Sequence, residues 1–242
     1  MSAFVAALFL PAGLSAQRDP RGAASRAPAA VSDATNFVGA DLVYAQPQGD
    51  FAHYVNAAFG IAGHYIHAFD PQGVISLRAE LGYLIYGSRT ARQPLGGGAL
   101  GLINVDVTTS NNILFGGIGA QVMAPTGTLR PYVTGTLGFT DLFTSSSVAG
   151  SQSGAQPFAE SQNYSDGGFA TSWGGGIYIP WQAGNSPVSI DIGVQAHKSG
   201  DIKYLTEHSI TFSGTNSAPV ITPVRSATDF LTYRLGVSLA IR

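Results

Sequence analysis

The segment from Asp229 to Arg242 constrains the fold more than any other part of the chain, because apolar residues alternate in it with small or polar ones. Side chains on a β-strand point alternately to opposite faces. One face of this segment therefore carries Leu231, Tyr233, Leu235, Val237, Leu239 and Ile241, and the other carries Thr232, Arg234, Gly236, Ser238 and Ala240. A soluble antiparallel sheet could show this alternation, but its length favours a strand of a transmembrane barrel.

The composition indicates that part of the protein surface faces an apolar environment and not water. Charged residues are 11% of the 242 residues, and glycine is abundant at 31 residues. Soluble globular domains contain about 25% charged residues. The net charge of −2 and the lack of a Lys/Arg cluster argue against binding to nucleic acid. The absence of cysteine excludes disulfides and zinc–thiolate sites.

The N-terminal segment resembles a secretory signal. An apolar run from Ala3 to Leu14 precedes Ser15-Ala16-Gln17, although no basic residue stands before it. We predict a signal peptide over residues 1–16, a flexible linker rich in Ala, Arg and Pro over 17–34, and one barrel domain over 35–242.

Eight strands are predicted from alternation and turn signals. They cover residues 37–45, 51–69, 74–86, 104–123, 129–143, 168–181, 188–199 and 229–242. The connections around Pro71, Pro125 and Asn185 are short, whereas the third, fifth and seventh connections are long. Outer-membrane barrels have an even number of strands, short periplasmic turns and longer extracellular loops. The sequence therefore predicts an all-β fold, an eight-stranded antiparallel up-and-down transmembrane β-barrel, with contact loops at 87–103, 145–167 and 200–228.

Three segments resemble a known class of proteins. Leu129-Arg-Pro-Tyr-Val-Thr-Gly-Thr-Leu-Gly138, Trp173-Gly-Gly-Gly-Ile-Tyr178 and the closing strand are similar to small bacterial outer-membrane β-barrel domain proteins of the OmpA type. The resemblance implies the bacterial outer membrane as location, with outer-membrane lipid and the barrel-assembly machinery as partners. No peptidoglycan-binding domain follows the barrel in this sequence, and Arg242 stands where such barrels often end in an aromatic residue.

Five charged residues share the predicted inward face: Asp41, Arg78, Glu80, Asp191 and Arg234. Unpaired charges in a narrow interior are costly, so we expect these residues to pair across the lumen as a charge network. The alternative is a small gated pore, in which rearranged ion pairs open a path.

An enzymatic alternative rests on His197 and Ser199, which with Glu207 resemble the His-x-Ser arrangement of lipid A deacylases. Strand alternation argues against it, because both side chains share the inward face of Asp191, away from a lipid substrate. The remaining histidines show no metal-ligand spacing. We therefore predict no catalytic, metal-binding or cofactor-binding residues and no cofactor.

The predicted role is structural or surface-interaction, with a possible extracellular ligand bound by the loops. A soluble lipocalin-like barrel is the alternative fold. It requires the apolar faces to point inward.

Overall fold

The protein folds into a closed β-barrel. The computed structural model describes residues 35–94, 104–152, 154–183, 186–206, 209–212 and 219–241. Its barrel strands are β1 (Asn36–Pro47), β2 (Ala58–Ala68), β3 (Ile75–Pro94), β4 (Asn104–Met123), β5 (Arg130–Gly150), β6 (Pro157–Ala183), β7 (Ser186–Ser199) and β12 (Phe230–Ile241). Each pairs antiparallel with its neighbours in chain order, and β12 closes the ring against β1. The predicted eight-stranded up-and-down barrel is confirmed.

The segment that closes the barrel forms β12, as its alternation predicts. Its register places Ile241 opposite Asn36 of β1 and Phe230 opposite Pro47. Its other edge pairs with β7, where Leu239 faces Val188 and Phe230 faces His197. From Phe230 to Leu239 the strand is therefore paired on both sides within the ring, which a hydrocarbon environment requires.

The apolar residues of the strands point outward. Leu235 is 55% exposed, whereas its neighbour Arg234 is 4% exposed. The same alternation holds on β3, where Leu77 and Leu81 are exposed and Arg78 and Glu80 are buried. A soluble barrel buries its apolar face, so the lipocalin-like alternative is wrong. The apolar belt places the barrel in a membrane, and closed barrels of this kind are those of the bacterial outer membrane.

Aromatic side chains mark both edges of the belt. At one edge the Tyr44 ring lies 5.0 Å from Phe59 and 5.9 Å from Tyr233. At the other edge Phe69 and Trp181 are exposed. Such girdles sit at the two membrane interfaces. The short turns after β2, β4 and β6 lie at the edge of Phe69 and Trp181, which is therefore the periplasmic one.

The strands differ widely in length. Strands β3, β4, β5 and β6 have 20, 20, 21 and 27 residues, whereas β1, β2, β7 and β12 have 11 to 14. A strand needs only about 9–11 residues to cross a bilayer. The four long strands therefore continue past the extracellular edge of the belt, and we call residues 86–94, 104–112, 144–150 and 157–168 the projecting sheet.

The projecting sheet corrects two predicted loops. Residues 87–94 of the predicted loop 87–103 belong to β3, and 95–103 lie outside the described residues. Most of the predicted loop 145–167 belongs to β5 and β6. These segments lack a regular apolar alternation because they lie beyond the lipid belt. They form strands because they pair with each other, from Gly87 with Asn111 to Ser147 with Glu160.

Two further predictions near the extracellular end are wrong in part. Residues 51–57 were assigned to the second strand, but Gly49–His53 form a 3-10 helix and β2 begins at Ala58. Alternation along the predicted strand 51–69 places Val55 on the outward face with Phe59 and Ile61, but Val55 is 4% exposed and belongs to a cluster of buried apolar residues. The predicted loop 200–228 contains four short strands outside the barrel: β8 (Asp201–Tyr204), β9 (Ile210–Phe212), β10 (Pro219–Ile221) and β11 (Val224–Ala227).

The predicted signal peptide 1–16 and linker 17–34 lie outside the described residues. Among the described residues, no helix is long and apolar enough to cross a membrane.

Candidate functional site

The middle of the lumen holds the five charged residues that share the inward face. Glu80 lies at the centre, with Oε2 3.5 Å from Nε of Arg78 and 3.3 Å from Nη1 of Arg234. Its Oε1 accepts hydrogen bonds from Gln195 at 2.6 Å and from Thr136 at 3.2 Å. The residues come from β3, β5, β7 and β12, so one carboxylate joins strands around the ring.

A second group of acids lies beside this centre. Asp191 Oδ1 accepts a hydrogen bond of 2.8 Å from the hydroxyl of Tyr132, which also lies 3.4 Å from Nη2 of Arg234. Asp41 Oδ2 lies 2.9 Å from Nδ1 of His64. All of these side chains are buried. Neither Asp41 nor Asp191 has an arginine within salt-bridge distance in the described part of the chain.

The sequence makes room for these side chains with a glycine. Gly236 of β12 pairs with Asp41 on one side and with Asp191 on the other. A Cβ at this position would collide with Oδ1 of Asp41. The two carboxylates therefore approach each other across a strand position that has no side chain.

The extracellular half of the lumen is apolar, which sequence reasoning missed. We call this group the apolar cluster: Val43, Ala45, Phe51, Val55, Ala58, Ala62, Leu84, Ile113, Phe115, Leu142, Ile202, Tyr204 and Phe230. Phe51, on the 3-10 helix, packs edge-on against Tyr204 with ring centroids 5.2 Å apart. Burial raises the pKa of the Tyr204 phenol above its ordinary value. The cluster closes the lumen at the extracellular end.

His197 and Ser199 do not form a catalytic pair. His197 Nε2 lies 3.1 Å from Oγ1 of Thr232, and its ring stacks on Phe230 at 4.6 Å. The Ser199 hydroxyl instead donates to the carbonyl of Thr228 at 3.1 Å. Glu207 lies outside the described residues. A nucleophile and its base must share a hydrogen bond, so this arrangement does not favour the enzymatic alternative.

The space beside the central carboxylate of the lumen is small. A cavity beside Glu80 and His197, also lined by Thr136 and Ser172, has a volume of about 10 Å³. One water molecule needs a space of about 10–15 Å³. Together with the apolar cluster, this packing does not favour the gated-pore alternative.

The projecting sheet is the remaining candidate site, and polar side chains order it. Across β3 and β4, Thr90 lies 2.8 Å from Thr108, and Arg92 Nε lies 2.9 Å from Asp106. The hydrogen bond from Arg92 lowers the pKa of Asp106 below its ordinary value. Across β5 and β6, Asn163 donates to Ser146 at 2.7 Å. These cross-strand pairs give the sheet a defined conformation outside the membrane.

The two edges of the projecting sheet have no strand partner in the described part of the chain. Pairing of β3 with β2 ends at Ile85, and pairing of β6 with β7 ends at Ala170. Near its base β6 is bridged to β8, where Asp166 accepts a hydrogen bond of 2.8 Å from the amide of Lys203. Farther from the membrane along β6, the side chain of Phe158 is 63% exposed. Backbone groups and an aromatic side chain are thus presented together outside the membrane.

The sequence matches no protein-family model. No curated protein matches it either. Among solved structures, the chain is similar to neisserial surface protein A, NspA, with a TM-score of 0.45 and 11% identity over 86% of this chain and 97% of that one.

The chain is also similar to Ail, the attachment invasion locus protein of Yersinia pestis, with a TM-score of 0.36 and 11% identity over 84% and 95%. For the N-terminal β-barrel domain of Pseudomonas aeruginosa OprF the TM-score is 0.33, at 13% identity over 85% and 98%. These likenesses concern the fold alone.

Proposed function

We propose that this outer-membrane barrel acts as a surface-interaction protein and presents the projecting sheet to an extracellular partner. One observation carries the proposal: four adjacent strands continue as a paired sheet beyond the membrane, and β6 alone has 27 residues. Crossing the bilayer uses about 9–11 of them. At about 3.3 Å per residue, the 12 residues of β6 in the projecting sheet, 157–168, extend the strand by about 40 Å.

A purely structural barrel has no physical need for this extension. The apolar belt, the aromatic girdles and the filled lumen already satisfy the membrane-spanning part. The sheet instead offers what recognition by β-strand addition uses, namely backbone donors and acceptors at an edge with alternating side chains beside them. Phe158 supplies an exposed aromatic anchor on one of these edges.

The test is a trimmed barrel that lacks the projecting sheet. Removing residues 88–110 and 145–163 leaves Gly87 beside Asn111 and Thr144 beside Tyr164, which are paired in the native register. An Asn-Gly turn can close each of these pairs. A barrel with its periplasmic turn at residues 125–128 replaced by another turn serves as the matched control.

Bacteria that express each variant are compared in two assays. Cell aggregation and adhesion to immobilised matrix protein and polysaccharide report interaction, whereas sensitivity to detergent reports the integrity of the outer membrane. We expect the trimmed barrel to fold and to preserve detergent resistance but to lose adhesion and aggregation. Adhesion and aggregation equal to those of the full chain contradict the proposal, and a trimmed barrel that changes only detergent sensitivity supports the structural role instead.

A further inference from the structure

Three residues that are distant along the chain meet inside the barrel. Asp41 lies on β1, His64 on β2 and Asp191 on β7, and all three are buried. One ligand atom from each lies within 4.8 Å of the others. Donor atoms around a tetrahedral zinc ion are about 3.3 Å apart, given zinc–ligand distances of about 2.0–2.2 Å. Small side-chain rotations therefore bring the three atoms to a common ion.

Two of these residues have atoms that need a partner. Oδ1 of Asp41 and Oδ2 of Asp191 are buried and have no hydrogen-bond partner among the residues that the structure describes. The buried arginines, Arg78 and Arg234, both contact Glu80 instead. A buried carboxylate oxygen without a partner or a counter-charge is costly, so a cation close to these two oxygens would stabilise both.

We propose that Asp41, His64 and Asp191 bind a divalent transition-metal ion of the zinc class inside the barrel. Imidazole nitrogen and carboxylate oxygen are ligands that zinc accepts. The ion joins β1, β2 and β7, and the two carboxylates flank β12, the strand that closes the ring. Its role is structural: it compensates the two acids and holds the closing seam together.

A hydrogen bond between His64 and Asp41 alone is the competing explanation. It satisfies Oδ2 of Asp41, which lies 2.9 Å from Nδ1 of His64. In the described part of the chain, it leaves Oδ1 of Asp41 and Oδ2 of Asp191 without a partner. A metal ion held by all three side chains also compensates the charge of these two carboxylates, which favours the ion. This inference does not depend on the role of the projecting sheet.

The full chain is folded into detergent micelles in the presence of either zinc or EDTA, passed through a desalting column and analysed for metal. The matched control is His67→Gln, because His67 lies on the same strand and contacts Asn36 at the periplasmic rim. We expect about one zinc ion per barrel in the wild type and in His67→Gln, since binding is coupled to folding. In His64→Gln and Asp191→Asn we expect at least a tenfold lower content.

The absence of retained zinc in a correctly folded wild type, or an equal content in His64→Gln, overturns the proposal and favours the hydrogen bond between His64 and Asp41 alone. Should the variants fail to fold, X-ray absorption of the zinc-loaded wild type decides. One nitrogen and at least two oxygen ligands support the site. A spectrum without a histidine ligand refutes it.

Discussion

Glu80 and Arg234 are 154 residues apart in sequence, yet Oε2 of Glu80 lies 3.3 Å from Nη1 of Arg234 inside the barrel. Strands β1 and β2 separate β3 from β12 in the ring, so the ion pair spans the lumen. Glu80 also contacts Arg78, Thr136, Ser172 and Gln195. The carboxylate thus connects strands whose backbones do not pair, and it supplies the negative charge nearest to both buried arginines.

Replacing Glu80 by Gln is expected to destabilise the barrel strongly. The change leaves Arg78 and Arg234, which are 0% and 4% exposed, without their carboxylate partner. Breaking a buried ion pair by removing one partner costs about 3–5 kcal/mol. Urea unfolding of the barrel in lipid vesicles, followed by tryptophan fluorescence, measures the loss in the free energy of unfolding.

The control for this variant is Glu160→Gln in the projecting sheet. Glu160 is exposed, so its replacement is expected to change the free energy of unfolding by no more than about 0.5 kcal/mol. Equal effects of the two substitutions would show that the lumen charge network contributes nothing specific to stability.

Gly82→Ala is expected to destabilise the barrel by about 1–3 kcal/mol, the usual cost of overpacking. A Cβ at Gly82 would collide with the ring of Phe115. That ring is held between His197 at 4.8 Å and Phe230 at 5.9 Å, so it has little room to move. Thermal or urea unfolding measures the change.

Gly63→Ala is the matched control, because Gly63 faces lipid. A Cβ added to Gly63 would lie 3.7 Å from its nearest neighbour, the carbonyl oxygen of Gly39. We expect no measurable loss of stability there. A similar loss at both positions would show that the backbone freedom of glycine, and not the space beside Phe115, determines the effect.

The membrane-spanning half of the fold could be predicted because lipid imposes a regular pattern. Between Ile75 and Ile85 every second residue meets hydrocarbon, so alternation reveals both the strand and its orientation. The projecting sheet lacks this signal because it lies beyond the lipid belt, where neither face has to be apolar. The predicted strand that begins at residue 104 nevertheless requires a neighbouring strand for its first half. Residues 87–94, which precede it in the chain, provide that neighbour.

The lumen was predictable only in part. Alternation identified which side of each strand points inward, but it did not show that the extracellular half is apolar. In that half, an apolar residue such as Val55 fits the alternation equally well whether it faces lipid or the apolar cluster. The outward orientation predicted for Val55 is therefore wrong. The proximity of His64 to Asp41 and Asp191 depends on the register of three strands. Spacing along the chain does not contain that information.

Phe51→Ala is expected to lower stability by about 3 kcal/mol or more, as for other buried aromatic residues. Phe51 is 0% exposed and packs on Tyr204 and Tyr86, with ring centroids 5.2 Å and 6.1 Å away. The control is His53→Ala on the same 3-10 helix, where the side chain is exposed. Urea unfolding should separate the two variants clearly. A loss in His53→Ala as large as in Phe51→Ala would contradict the role of Phe51 in the apolar cluster.

The wild-type barrel is expected to show no stepwise conductance in planar bilayers. The apolar cluster, with Leu84 and Leu142 both 0% exposed, fills the extracellular end, and the charge network fills the middle. The recording is made on barrels whose folding has been verified by their heat-modifiable migration on a gel. Reproducible single-channel steps from folded wild-type protein would restore the gated-pore alternative.

Asp70 is expected to make the stability of the periplasmic turn depend on acidic pH. Its carboxylate accepts hydrogen bonds from the amides of Ile75 at 2.9 Å, Val74 at 3.0 Å and Gln72 at 3.1 Å. These bonds, led by that from Ile75, hold the pKa of Asp70 below its ordinary value of 3.8. A lowered pKa in the folded state adds stability that is complete above the unfolded pKa and is lost as pH falls through the folded pKa.

Asp70→Asn should therefore lower the urea midpoint at pH 7 and remove part of the decline of that midpoint between about pH 4 and pH 2. Asp50→Asn, on the extracellular 3-10 helix, is the control, and an identical acid dependence in Asp70→Asn and the wild type would show that the turn does not depend on this carboxylate.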